Sequence, residues 1–455
     1  MIKLYRFLKQ YTAYIAVIMV LLFAQVLLNL YLPTLMADII DIGLVNKDIN
    51  YILKIGGFML LIAAGGTICE VIATYLSSKT AVGFGTILRE NIFTKVESFS
   101  LHEFDKLGTA TLITRTTNDV TQIQQVSVLI FSMMITAPLT CIGGVIMALQ
   151  QDASLTWVLV AVIPILFGII GITLTKGLPL FKVMQDKIDK LNLVLRENLT
   201  GIRVVRAFNR IDKEKFRFDD ANADLMDNAI KVNIMMAVLM PVMMLIMNLT
   251  TVALVWFGAL RIDAGTMQIG SLLAFIQYAT QILFSLIMLV MLVMLFIMVP
   301  RAQVSAVRIN EVLETKLDIL DPEKSKPANS KRGFVEFRGV SFRYPGADQP
   351  ALNNITFSAQ PGELTAIIGG TGSGKSTLIN LITRFYDVES GSVLVDGVDV
   401  REMSQKELRA KIGFVPQKTV LFTGTIAENI QYGKEAATMA EIEYAAQGNR
   451  VYLRA

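Results

Sequence analysis

The residues best placed to do chemistry are Gly369–Ser376, GGTGSGKS, which fit the spacing G-x-x-x-x-G-K-[ST]. An apolar stretch expected to be a strand, Leu364–Ile368, precedes them, and a helix is expected over Thr377–Phe385. Strand, glycine-rich loop and helix in that order make a phosphate-binding loop. Gly369, Gly370, Gly372 and Gly374, with Thr371 and Ser373 between them, let backbone N–H groups converge on phosphate oxygens. The start of the helix, through Thr377, adds a favourable dipole. Lys375 supplies positive charge for β- and γ-phosphates, and the Ser376 hydroxyl is suited to Mg²⁺. The chemistry expected here is therefore nucleotide polyphosphate binding with Mg²⁺, although one such loop does not define a reaction.

Other candidates fall away on their surroundings. Val393–Asp396, VLVD, could pass for a metal-ordering strand end, but Gly397 follows where a second acid would be needed. Asp-Gly between strand-like runs is a hairpin turn. The single histidine, His102, lies in a basic connecting segment, where solvation or packing is expected rather than ligation. Cys69 and Cys141 sit in apolar runs without metal-ligand spacing, so they read as small buried hydrophobes with no disulfide implied.

The elements that must carry this loop are unusual. Only 18% of the 455 residues are charged, against about 25% in an average soluble domain, and the mean hydropathy is +0.53. Spanning helices need about 20 mainly apolar residues. Ala13–Leu35, Tyr51–Leu76, Val126–Leu149, Ser154–Thr175, Val232–Leu260 and Ile269–Val299 qualify, the last continuing as helix beyond the bilayer. Ahead of them, Ile2–Gln10 reads as a short amphipathic helix on the membrane surface. There is no cleavable leader pattern, because the first apolar run is full length and lacks a small-residue cleavage site.

The connections alternate in character. Ala37–Asn50, Gln150–Ala153 and Arg261–Gln268 are short, whereas Ser77–Gln125 and Lys176–Lys231 are long and basic. Positive charge concentrates on the cytoplasmic side, so both termini are expected there, in a multi-pass protein of the cell membrane. Both long connections keep helical apolar spacing. Some 25 helical residues reach nearly 40 Å below the bilayer, which makes them stalks that contact something in the cytosol. Pro300–Leu320 is amphipathic, Asp321–Arg332 (DPEKSKPANSKR) is a polar linker, and strand-like runs begin at Gly333: FVEFRGVSFRY, LTAIIG, SVLVDG and KIGFVP. The expected architecture is an α-helical membrane domain over 1–320, the linker 321–332, and an incomplete α/β P-loop nucleotide-binding domain over 333–455. The formal charge of +4 is too small to suggest nucleic acid as a partner.

The neighbours of the loop identify the family. FRYPGADQPALNNITFSAQPGELTAIIGGTGSGKSTLINLITRFYDVESGSVLVDGVDV resembles the opening half of an ABC transporter nucleotide-binding domain, and KIGFVPQKTVLFTGTIAENIQYG resembles its Q-loop region. The membrane part is similar to the multidrug-exporter type, including FDKLGTATLITRTTNDV and ENLTGIRVVRAFNR. The resemblance runs from Lys3 to about Gln447. It implies that Tyr344 stacks on adenine and that Gln417 reaches Mg²⁺ and the attacking water. It also implies that segments near Asp105–Gly108 and Asn209–Lys213 dock on nucleotide-binding domains, the lesser alternative being charged turns that are merely solvated.

Two departures matter. Gly370 stands where such loops more often carry Pro or Ser, which implies a looser backbone. The family's LSGGQ-type signature, its strand ending in Asp-Glu and its phosphate-holding histidine have no counterpart in these 455 residues. The match fades over QGNRVYLRA, and a fragmentary or frameshifted reading frame is the expectation. The reading favoured by the resemblance is that the chain is one half of a homo- or heterodimer in the lipid bilayer, coupling ATP binding and hydrolysis to the outward transport of hydrophobic or drug-like small molecules across the membrane. The alternative is a truncated or frameshifted product that binds nucleotide at most, neither hydrolysing ATP nor transporting. Without a catalytic carboxylate, these 455 residues alone are expected to hydrolyse no ATP above background. Polar residues within the spans, Gln25, Asn29, Glu70, Asn248, Gln277 and Gln281, are candidates for the cargo cavity. Glu70 is the sharpest, as either a cavity-facing carboxylate or one placed near a helix end or hydrogen bonded structurally. Methionines crowd 235–247 and 288–298, where flexible thioethers suit apolar cargo, lipid contact or core packing alike.

Overall fold

The computed structural model describes residues 3–291, 293–326, 333–434 and 436–448. Ile2, the second half of the linker from Pro327, and the tail from Asn449 therefore lie outside the described residues, as do the side chains at 290–297 within the second methionine-rich stretch. The chain divides into two compact units. One comprises residues up to Ser98 and Leu107–Lys316; the other comprises Phe99–Lys106 and the residues from Leu317 onward.

The first unit is helical. A short helix, Leu4–Tyr11, buries Leu4 and Leu8 one turn apart and exposes its basic residues, as an amphipathic surface helix should. It leads into α1 (Thr12–Asp38), followed by α2 (Ile49–Glu97). Next come α3 (Leu101–Leu107), α4 (Thr109–Thr114) and a π-helical turn at Arg115–Asp119 that runs into α5 (Val120–Gln151). The remainder is α6 (Thr156–Thr200), α7 (Ile202–Ala207), α8 (Ile211–Asp263), α9 (Ile269–Met291) and α10 (Val293–Glu314). Among the described residues six helical stretches are long and apolar enough to cross a membrane. They contain four of the sequence-derived spans, while Ser154–Thr175 begins two residues ahead of its stretch and Ile269–Val299 runs on past Leu289, where its stretch ends. At 1.5 Å per residue α2 is about 73 Å long, roughly twice what a bilayer core requires. The rest of it is the stalk anticipated from helical spacing.

The core of this unit gathers on α9. Ala274, Phe275, Tyr278, Ala279, Ile282, Leu283 and Leu286 recur at helical spacing and are all buried. The Tyr278 hydroxyl donates to the Leu30 carbonyl at 2.9 Å and shares a 2.7 Å hydrogen bond with Thr34, which fixes α9 to α1. At the start of α9 the Asp41 carboxylate accepts the N–H groups of Gly270 (2.6 Å) and Ser271 (3.0 Å). A Cβ at position 270 would lie 2.5 Å from the Ala37 carbonyl, so only glycine permits that approach. Gly143 and Gly144 likewise admit Leu30 and Ile282 against the α5 backbone, the small-residue packing that membrane helices use. Cys69 and Cys141 are free and only half-buried.

The second unit carries β1 (Val335–Phe342), β2 (Leu352–Ala359), α11 (Lys375–Ile382), β3 (Ser390–Val395) and β4 (Val398–Asp399). Short helices α12 (Gln405–Arg409), α13 (Ile426–Gln431) and α14 (Met439–Gly448) follow. The strands form one antiparallel sheet in the order β2-β1-β3-β4. Phe337, Val340, Phe342, Leu378, Leu381 and Val393 fill the space between sheet and α11, and Phe337 stacks on Phe357 at 4.7 Å.

Two strand expectations are corrected here. Leu364–Ile368 and the run beginning at Lys411 belong to no strand, and Leu364, Ile368 and Val415 are more than nine-tenths exposed. A strand exists only as part of a ladder, and no described residue pairs with either segment. The Asp-Gly reading holds. Asp396 (φ 53°) and Gly397 (φ 79°) make the two-residue turn between β3 and β4, with Val395 opposite Val398. Positive φ at both positions is what this hairpin turn demands. The Asp396 carboxylate then accepts from the Gly333 N–H at 2.7 Å and from Lys411 Nζ at 2.9 Å. Burial alone would raise its pKa, but Lys411 and the backbone donors of Gly333 and Phe334 outweigh that and hold it below the usual carboxylate range. Asp396 is a structural anion.

Candidate nucleotide site

The loop between β2 and α11 is shaped by its glycines. Gly372 and Gly374 adopt φ of 84° and 87°, conformations that cost other residues strain. A Cβ on Gly374 would also lie 2.8 Å from the Ala351 carbonyl and from Leu352. Around Gly370 and Gly372 nothing lies within 4 Å of where a Cβ would project, so that face of the loop is open to a ligand. α11 begins at Lys375 with Gly374 in the left-handed conformation, and its first N–H groups face the loop as a phosphate requires.

Lys375 folds back over this loop. Its ammonium donates to the carbonyls of Gly369 (2.8 Å) and Gly370 (2.6 Å), with Ser373 Oγ at 3.4 Å. It is thereby held at the mouth of the cradle, with bonds it can exchange for phosphate oxygens. Ser376 is exposed beside it, and Thr377 is buried under it. The donor set suits a nucleotide triphosphate: an open ring of backbone N–H groups, one ammonium and one hydroxyl.

The structure brings Tyr344 to this site and leaves Gln417 apart. The Tyr344 hydroxyl shares a 2.9 Å hydrogen bond with Thr377 Oγ1. Its ring meets Phe342 and Tyr386 edge-on, at 4.9 and 5.3 Å. Tyr344 is thus fixed two residues from the loop lysine and remains half-buried. Gln417 is exposed in the irregular stretch after Pro416, with no polar contact to Ser376 among the described residues.

Sequence reasoning missed the polar seat beneath the site. Phe99–Lys106 folds with the second unit, and Leu101 packs against its core. Glu103 accepts from the Asp318 N–H at 2.6 Å and the Ser100 N–H at 2.7 Å, and also binds the Ser100 hydroxyl. Burial would raise Glu103, but those donors prevail and lower its pKa. The Tyr386 hydroxyl meets the Asp105 carboxylate at 3.4 Å. Burial, then the negative charge of Asp105, push Tyr386 up to about 12, so it remains a protonated donor. The resemblance pointed to this neighbourhood through Asp105, but no local pattern linked it to Tyr386.

Six helices among the described residues long and apolar enough to span a membrane, joined in one chain to a P-loop region, are the parts of a nucleotide-binding membrane transporter. The known proteins agree. Residues 15–287 match the family described as ABC transporter transmembrane region, and residues 352–452 match that described as ABC transporter. An uncharacterized ABC transporter ATP-binding protein of Mycobacterium tuberculosis is 44% identical over 426 residues, covering 93% of this chain and 73% of that protein. One from Bacillus subtilis is 37% identical over 445 residues, covering 98% and 77%. A fatty acid ABC transporter ATP-binding/permease protein of Mycobacterium bovis is 33% identical over 365 residues, covering 80% and 57%. The chain belongs to the ABC transporter family, as a half-transporter that carries transmembrane and nucleotide-binding regions together.

Proposed function

We propose that the chain is one subunit of a dimeric exporter that couples ATP to the outward movement of hydrophobic small molecules. The observation carrying this reading is the open P-loop cradle, with Lys375 at its mouth, in the same chain as six spans. Bound Mg²⁺ would be held by Ser376 and would supply charge neutralisation at the phosphates; Gln417, which the resemblance assigns to the same ion, stands apart from Ser376 here and would have to approach it. The chain's own part is positioning: loop N–H groups and Lys375 orient the phosphates, and Tyr344 offers its ring to the base. In such chemistry positioning and electrostatics do nearly all the work.

A second subunit is supported by the far end of the α6–α8 hairpin. Val204, Phe208, Ile211 and Phe216 there are each more than half exposed. An apolar tip of this kind fits the nucleotide-binding region of a partner subunit, which the resemblance of Asn209–Lys213 also implies. The membrane bundle offers apolar grooves to cargo, one lined by Leu27, Leu30, Tyr31, Gly143 and Met147.

The reading requires the long basic stalks and the P-loop to face the cytoplasm. Single cysteines at Asn46 and Asp263, in the short connections, should react with an impermeant maleimide added outside cells. A cysteine at Lys213 should react only after the membrane is opened. Outside labelling at Lys213 would overturn the orientation, and with it export driven by cytoplasmic ATP.

A further inference from the structure

Among the sequence-derived spans, Glu70 is alone. Apart from Lys54, four residues into the second span, they contain no other Asp, Glu, Lys, Arg or His. Lys54 is sixteen residues from Glu70, about 24 Å along α2, and Lys79 is nine residues away on the other side, about 14 Å. A glutamate side chain is too short to reach a lysine across such distances.

The structure closes the two ordinary explanations for this carboxylate. Glu70 is six residues, about 9 Å, inside the end of its span at Leu76, further than a glutamate side chain reaches, and α2 continues unbroken to Glu97. It is exposed and has no hydrogen-bond or ion-pair partner among the described residues. An uncompensated carboxylate in hydrocarbon is expensive. A second copy of this chain would bring no remedy, because its spans carry the same residues and hence no cation at this depth.

A second observation falls at the same level. α1 runs antiparallel to α2, with Asn29 Oδ1 beside Gly66 and Leu22 packed with Ala73. That register sets Gln25 level with Glu70. Gln25 is 7% exposed, and its Oε1 has no hydrogen-bond partner among the described residues. Two acceptors without donors therefore share one level of the α1–α2 pair, within apolar surroundings.

Taking the export reading as its basis, we infer that Glu70, assisted by Gln25, is the recognition site for a lipophilic cation, the cargo itself supplying the missing positive charge. Apolar walls accept the body of such a molecule, and the carboxylate selects its charge over neutral and anionic analogues of similar shape.

The test is equilibrium binding to the full chain in phosphatidylcholine nanodiscs, with empty nanodiscs subtracted. The probes are tetraphenylphosphonium, its anionic counterpart tetraphenylborate, and neutral triphenylphosphine oxide. The chain should bind tetraphenylphosphonium saturably and tetraphenylborate at least tenfold more weakly. Glu70→Gln should weaken the cation at least tenfold while leaving the neutral probe within twofold, which also shows that the variant is folded. Glu70→Asp should keep cation binding within about threefold, and Gln25→Leu should weaken it severalfold. Unchanged cation binding in Glu70→Gln would overturn the inference, because the charge would then play no part in recognition. Equal loss of cation and neutral probe would overturn it in favour of packing. Failure of the unaltered chain to bind either the cation or the neutral probe would instead remove the hydrophobic-cargo reading on which the inference rests.

Discussion

Lys375→Ala is expected to weaken ATP binding by about ten- to a hundredfold and to leave AMP almost unaffected. Lys375 is the one full positive charge that the loop spacing sets at the β- and γ-phosphates, and its ammonium already rests on the Gly369 and Gly370 carbonyls at the loop mouth. A charge-assisted hydrogen bond of this kind contributes roughly 1.5–3 kcal/mol, which is the stated range of affinity. AMP ends before the phosphates that the lysine would reach. Tyr344→Ala should weaken both nucleotides alike, because stacking does not count phosphates. Tyr344→Phe should separate the ring from its hydroxyl, which holds Thr377 at 2.9 Å. The measurement is titration of ATP and AMP against the full chain in nanodiscs with Mg²⁺ present. Equal losses for ATP and AMP in Lys375→Ala would show that the lysine does not serve the terminal phosphates.

What the sequence disclosed follows from the range over which each interaction acts. A span is legible because a bilayer demands about 20 apolar residues in a row, a condition met entirely within the segment. The Asp396–Gly397 turn is legible because positive φ at two adjacent positions is a demand on two residues alone. The P-loop is legible for the same reason, its glycines and lysine lying within eight positions. Leu364–Ile368 shows the limit: its composition is that of a buried strand, but a ladder needs a neighbour that composition cannot specify. Tyr386 and Asp105 are 281 positions apart, and Asp119 and Arg308 are 189 apart. No periodicity within a window links such pairs. Glu70 lies between these extremes. Its isolation is visible from sequence alone, but its lack of a partner among the described residues and the level it shares with Gln25 needed the structure.

Asp119→Leu is expected to destabilise the helical unit by about 2–4 kcal/mol, the low side of what breaking a buried ion pair costs, since Arg308 is 43% exposed in its side chain. Asp119 ends the π-helical turn before α5, and its side chain has no exposure. Oδ1 accepts from Ser305 Oγ at 2.9 Å and from Arg308 Nη2 at 2.5 Å, while Oδ2 is buried with no hydrogen-bond partner among the described residues. One turn earlier, Arg115 donates to the Arg308 carbonyl at 3.0 Å and pairs with Glu311 at 2.8 Å. The π turn brings both charged side chains to the same stretch of α10, and the network fixes α10 to the base of α5. Leucine fills the space of Asp119 but leaves Arg308 and Ser305 without their acceptor. Asn keeps an acceptor and loses the charge, so Asp119→Asn should cost about half as much. Arg308→Met alone leaves the carboxylate buried and unpaired, and should be as harmful as Asp119→Leu. The double variant removes both charges, so it should recover most of the loss rather than add to it. Unfolding of the helical unit followed by circular dichroism as denaturing detergent replaces a mild one gives the four stabilities. If the double variant loses the sum of the two singles, the carboxylate and the guanidinium act independently, and the network does not hold α10 in place.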